Sequence, residues 1–288
     1  MTDTDGKGGG LGPSDHNGGV GGFLYVYPVV SRRAGGVSIG VNLNPNKACN
    51  YRCLYCQVEG LSRGKGPAID VALLRDELHA MLEWLQRGDF YERWVPEPAR
   101  SLRDVAFSGD GEPTSGPDFA PAAEAVLDVL AARGLATLPV VLISNGTLLH
   151  KATAQRGLRL LGAGSGRLWF KLDAGRDADL RRIHDSAVSL ATLRRNLRLA
   201  APLLPTWIQT CAFGLDGEAP TEAWATAWLA ALQGELSAGT PLQGVLLYSV
   251  ARRSYQPEAP RLQQMSAEWL ESLAVRVRAL GLDCEAHP

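Results

Sequence analysis

Six short apolar runs alternate with helical patterns along this chain, and that alternation limits the fold more than any other feature. The runs are residues 37–43, 105–107, 140–143, 168–172, 207–213 and 245–250. Between them the spacing predicts helices over 69–86, 119–133, a stretch ending at 161, 187–199 and 221–236, with a last helix over 266–280. The first of these is explicit: Asp70 stands as an N-cap, and Leu74, Leu78, Met81, Leu82 and Leu85 form one apolar stripe. Strand–helix alternation of this kind builds a parallel sheet with right-handed crossovers. A barrel-like version places its active site at the carboxyl ends of the strands. Residues 23–30 (FLYVYPVV) read as an extended segment that Pro28 restricts to an edge. Residues 1–22 carry nine glycines and almost no apolar surface, which predicts a disordered tail ahead of a single domain, 23–288.

Directly after the first run comes Cys49-Asn50-Tyr51-Arg52-Cys53-Leu54-Tyr55-Cys56. Three thiols in one short loop are a metal-cluster signature. A structural zinc site takes four protein ligands, and no fourth Cys or His stands close by in sequence; His79 lies in a helical pattern. Four thiolates normally close an iron–sulfur cluster, so three leave one iron open to an exogenous ligand. Reduced structural thiols or a disulfide pair are the bland alternatives. The other two cysteines, Cys211 and Cys284, are far apart, and no disulfide framework is expected; a reducing cytoplasm is the natural compartment.

Composition removes several classes. With 29 Lys and Arg against 30 Asp and Glu, a net charge of −1 is not that of a dedicated nucleic-acid binder. No apolar run approaches the ~20 residues that span a bilayer, and no secretory signal is visible. A hydrophobic share of 45% is ample for a sizeable core.

Polar chemistry then recurs where the strands end. Gly109-Asp110-Gly111-Glu112 follows the second run; two glycines let backbone approach a ligand, and the carboxylate can take an ammonium group. Ser144-Asn145-Gly146 follows the third. Either could be a plain turn. In Trp169-Phe170-Lys171-Leu172-Asp173 the two-residue period sets Trp169, Lys171 and Asp173 on one face. A Lys in a dry pocket would have a lowered pKa and could act as base or Schiff-base former; at a solvated strand end it would only pair weakly with Asp173. Gln209 and Cys211 share a face of the fifth strand, and Arg252 could clamp an anion beside a Pro-containing loop, 252–260, placed to close over a ligand. Arg181, Arg182, Arg194, Arg195 and Arg198 read as solvated outer faces, and His184 and His287 as structural or exposed.

The Cys-x3-Cys-x2-Cys loop with Tyr55 before its last thiol resembles the radical S-adenosylmethionine (SAM) enzymes. The resemblance covers roughly residues 37–250 and implies a partial (β/α)6 barrel. It implies that Cys49, Cys53 and Cys56 hold a [4Fe–4S] cluster whose fourth iron is chelated by SAM. Residues 109–112 are similar to the family's Gly-Gly-Glu motif, with Asp110 inserted, and with Tyr55 would position the methionyl group. Ser144, Asn145, Lys171 and Asp173 would face the ribose side. The sub-branch most like this chain contains the wyosine-type tRNA enzymes, but their second-cluster cysteines are missing from residues 1–48, so one cluster is expected. An external one-electron donor of flavodoxin or ferredoxin type is implied, with a small-molecule or peptide substrate and neither nucleic acid nor membrane as partner. A tRNA-modifying enzyme and a non-catalytic iron–sulfur carrier or sensor are the alternatives.

Overall fold

The computed structural model describes residues 21–31, 35–87 and 89–288. Of the expected disordered tail only Gly21 and Gly22 are among these; the rest lies outside the described residues. Eight strands form one sheet whose spatial order is their chain order. They are β1 (Val26–Ser31), β2 (Gly36–Val41), β3 (Leu102–Phe107), β4 (Val140–Ser144), β5 (Gly166–Lys171), β6 (Thr206–Cys211), β7 (Leu242–Tyr248) and β8 (Asp283–His287). Strand β1 runs antiparallel to β2, and every other pairing is parallel. Strands β2 to β7 are the six expected from sequence, and with their helices they curl into a partial (β/α)6 barrel.

The outer layer is α1 (Val71–Gln86), α2 (Phe119–Ala132), α3 (Ala152–Ala163), α4 (Asp177–His184), α5 (Leu190–Ala200), α6 (Glu222–Ser237) and α7 (Ala267–Arg278). Side-chain caps start four of them: Asp70, Ser189, Thr221 and Ser266 each accept the N–H three residues on. Alternation along the strands divides the sheet cleanly. Leu168, Phe170, Ile208, Val245 and Leu247 are fully buried on the helix-facing side, where Trp228 of α6 donates its indole N–H to the Leu172 carbonyl at 3.0 Å. The intervening residues face the barrel interior.

Two elements depart from expectation. Helix α4 is separate from α5; its acidic first turn (Asp177, Asp179) and basic last turn (Arg181, Arg182, His184) are the charge pattern of a short helix. Strand β8 extends the sheet beyond the last helix, pairing Gly244–Tyr248 with Asp283–His287. Its sequence, Asp-Cys-Glu-Ala-His, has little apolar content to announce it.

The edge strand is anchored from outside the sheet. Glu77, buried on α1, accepts the N–H groups of Leu24, Tyr25 and Val26 at 2.7, 2.7 and 3.2 Å. Pro28 sits in this edge strand, as its missing N–H requires.

Candidate metal-cluster site

The cysteine loop leaves the carboxyl end of β2. Asn42 accepts the Asn44 N–H at 3.0 Å to turn the chain, and Asn44 donates to the Ala48 carbonyl at 2.9 Å. A two-residue parallel ladder between Ala48–Cys49 and Ser62–Arg63 closes the loop's base. The turn after β3 lies directly against it. A side chain at Gly111 would run into the Ala48 carbonyl, and Gly109, at φ +135°, would place a Cβ 2.6 Å from the Asn42 side-chain oxygen. Both positions therefore need glycine, and the reason is close approach to the loop.

The thiols of Cys49, Cys53 and Cys56 are half-buried in this mouth. Burial pushes Cys49 up to about 11, while the Tyr51 N–H, 3.4 Å from its sulfur, pulls the other way. Burial also raises Cys53 and Cys56, and the Lys171 ammonium opposes both shifts. Thiols in this state stay protonated until a cation takes them, which is the behaviour of a ligand set. Among the described residues no three His, Cys, Asp or Glu side chains converge as ligands of a single ion. A multi-iron cluster instead takes each thiolate at a different iron, and three separated soft donors on one loop fit that requirement.

Neighbouring strand ends hold the loop from several sides. Asn50 accepts from the Asn145 amide at 2.8 Å and donates to the Thr147 hydroxyl at 2.6 Å. Arg52 and Leu54 donate backbone N–H groups to the carbonyls of His184 and Ile183, both at 2.9 Å. Ser254 donates to the Leu54 carbonyl at 2.7 Å, and the Tyr255 N–H reaches the Cys56 carbonyl at 2.9 Å. Arg52 also forks onto Glu258 at 2.8 and 3.0 Å, so loop 252–260 is fastened to the cysteine loop. A solvent-open cleft of ≈ 410 Å³ is lined by this segment, from Arg253 to Pro260.

Glu112 is buried and heavily used. One carboxylate oxygen accepts from the Thr114 N–H and hydroxyl at 3.2 and 2.5 Å and from Ser144 at 2.8 Å; the other accepts the Asn145 N–H at 2.7 Å. Glu112, Ser144 and Asn145 thus form one strut between the ends of β3 and β4, with acceptor capacity left on the second oxygen. Asp110, next to it, is half-buried and receives the Asn42 amide at 2.8 Å.

The end of β5 carries the densest charge. Asp173, fully buried, accepts the Tyr55 hydroxyl and the Cys211 N–H, the latter at 2.8 Å. Lys171 donates to the Tyr248 hydroxyl at 3.1 Å and lies over the Tyr55 and Tyr248 rings at 5.0 and 5.7 Å. Burial disfavours its charge, but Tyr248, Asp173 and Cys53 outweigh burial and the net shift is upward. The lowered pKa that a dry pocket alone would give Lys171 is therefore reversed, because the Asp173 carboxylate and the hydrogen bond to Tyr248 favour the ammonium.

Of the two sequence readings of His184, structural or exposed, the structural one holds: it is buried, with its Nδ1 3.3 Å from the Cys53 sulfur, its Nε2 3.4 Å from Asp173, and Tyr51 stacked on it at 4.5 Å. Burial holds it down at about 4, so the ring is neutral at neutral pH. Asn50, inside the cysteine loop, Thr147, directly after Ser144-Asn145-Gly146, and Tyr248, at the end of β7, also join the site, and their residue types alone do not mark them. Arg194 and Arg198 do not simply face solvent; both close on buried Glu235.

A half-open parallel barrel whose first parallel strand delivers three thiols to its carboxyl mouth defines a protein built to carry a metal cluster there. The sequence profile of the Radical SAM superfamily matches residues 43–228, and the chain belongs to that superfamily, whose enzymes use a [4Fe–4S] cluster and SAM. A UPF0026 protein of Helicobacter pylori is 25% identical over 185 residues, 62% of this chain and 54% of its own length. The chain thus spans about half of that curated relative. A radical SAM methyltransferase from Sphaerobacter thermophilus superposes with a TM-score of 0.54 at 15% identity, covering 88% of this chain and 66% of the other. TYW1 with a lysine–pyruvate adduct bound gives 0.54 at 17% identity, with 85% and 74% covered. These likenesses establish the fold. Among the described residues no helix is long and apolar enough to cross a membrane.

Proposed function

We propose that Cys49, Cys53 and Cys56 hold a single [4Fe–4S] cluster, and that the enzyme acts on a small molecule or peptide. When bound, cluster and SAM supply a one-electron cleavage that yields a 5′-deoxyadenosyl radical for hydrogen abstraction. The observation that carries the reading is the fastening of the three-thiol loop to the ends of β4, α4 and loop 252–260. That arrangement holds the thiols at the carboxyl ends of the strands. Glu112, with an acceptor site to spare, and Asp110 are the carboxylates positioned to take the methionyl ammonium. Ser144 and Asn145 keep Glu112 in place, and Tyr55 fixes Asp173. Lys171, held as an ammonium, is a hydrogen-bond donor and not an amine nucleophile, so the lysine adduct named for TYW1 is not carried over to it. An external donor of flavodoxin or ferredoxin type would provide the electron. The near-zero net charge supports a small substrate over tRNA.

The test is iron and sulfide content of anaerobically purified Cys→Ala variants. Loss is expected at each of the three positions, whereas Cys211→Ala and Cys284→Ala should load normally. A normal cluster in Cys53→Ala sinks the assignment.

A further inference from the structure

Across β5, β6 and β7 the inward-facing side chains form a three-by-three grid set by register. Its deepest row is Trp169, Trp207 and Gly244; the middle row is Lys171, Gln209 and Leu246; nearest the mouth stand Asp173, Cys211 and Tyr248. Gln209 is the centre of this grid. It is 1% exposed, and both its side-chain nitrogen and its side-chain oxygen are buried without a partner.

Other buried amides of the protein are used. Asn196 donates to the Gly146 and Thr147 carbonyls at 2.8 and 2.9 Å, and Asn44 serves Ala48 and Ser115. Among the described residues Gln209 alone is a buried side-chain amide with neither end satisfied. An apolar side chain of the same length would fill this space without desolvating a donor and an acceptor, so the amide is a cost to the empty fold. Its neighbours in the grid Trp169, Trp207, Lys171 and Tyr248 are only partly buried, whereas Phe170, Ile208 and Leu247 on the opposite face are fully buried under helices. Access to Gln209 therefore runs through the barrel interior.

We infer that Gln209 is a specificity residue of the substrate pocket and reads a lactam or imide edge on a small planar nitrogen heterocycle. The inference rests on the enzyme reading above and names its substrate class. A carboxylate would satisfy the amide N–H and repel its oxygen, and an amine would do the reverse. An N–H beside a C=O satisfies both ends at once. Trp169 and Trp207 supply flat apolar walls for such a ring, which an open-chain amide would not need.

The experiment is equilibrium dialysis of cluster-reconstituted protein against uracil, hypoxanthine and, as a planar ligand with no lactam edge, benzoate. Saturable binding of at least one lactam and none of benzoate is expected. Gln209→Met should bind that lactam at least about tenfold more weakly, the loss of one or two hydrogen bonds. Its melting temperature should equal or exceed the parent's; Gln209→Leu serves as a second variant should Met fail to fold. No lactam binding in the parent, or unchanged affinity in the variant, overturns the inference. So does retention of bulk tRNA in place of the free bases. Binding is measured without SAM turnover. A parent that cleaves SAM alone but ignores both bases therefore loses this inference and keeps the enzyme reading.

Discussion

Glu112 stands between two roles, and substitution separates them. As a strut it needs both oxygens to accept from Thr114, Ser144 and Asn145. As a cofactor contact it needs its negative charge. Glu112→Gln keeps much of the strut and removes the charge, and should weaken SAM binding by about 1.5–3 kcal/mol, one charge-assisted hydrogen bond. Glu112→Ala should bind no better and should also lower thermal stability, because the Ser144 and Asn145 donors lose their acceptor. Isothermal titration of the reconstituted proteins and melting of the same samples decide the matter; equal SAM affinity in parent and Gln variant would leave Glu112 a strut only. This double use is why the sequence showed the residue but only half of its work. A carboxylate after two glycines announces a turn that meets a ligand, but its donors lie 32 and 33 residues away. The same limit hid His184, which is 131 residues from Cys53, and Gln209, whose lack of a partner is visible only in three dimensions.

At the scale of elements, what was legible followed from period and capping. The six inner strands showed as apolar runs and α1 as a capped stripe, because burial on one face leaves a regular mark. Helix α4 and strand β8 did not, being short and polar. The arginines of α5 read as solvated for a related reason: that Arg194 and Arg198 close on Glu235, fully buried on α6, shows only in three dimensions. Burial would raise Glu235, but Arg198, Arg194 and Thr240 outweigh it and hold the carboxyl below its ordinary value. A depressed folded-state pKa gives stability that is present above the unfolded value, near 4.5, and is lost as pH falls through the folded value. The urea midpoint of the parent should therefore exceed that of Glu235→Gln at pH 7, and the gap should narrow below about pH 4.5 as both states become neutral. A gap that stays constant down to pH 3 would show that the charge contributes nothing to the α5–α6 contact.

For the whole molecule, the cysteine loop is the point where distant parts of the chain meet. Its backbone and side chains bond to residues 145–147 after β4, to 183–185 at the end of α4, and to 254–258 after β7. Those segments span more than a hundred residues of sequence, so the order of one loop bears on the closure of the barrel mouth. A group that binds the folded thiols and not the unfolded chain stabilises the fold by linkage. Here the effect should spread along these bonds and not remain at the thiols. Reconstituted protein should melt higher than the iron-free form. Its amide exchange should slow at Arg52, Leu54 and Cys56 within the loop, at Asn145 and Asp185, and at Tyr255, which donates to Cys56. The Leu24–Val26 amides donate to Glu77 of α1 and to no residue of the 49–56 loop, so they provide the internal control and should exchange alike in both forms. Because burial holds all three thiols above their ordinary pKa, loading must release their protons, and its yield should rise from pH 7 to 8.5. Anaerobic hydrogen-exchange mass spectrometry on the two forms measures the pattern. Protection confined to residues 49–56 would mean that the loop loads independently, and that the bonds to α4 and loop 252–260 hold the mouth closed whether or not the cluster is present.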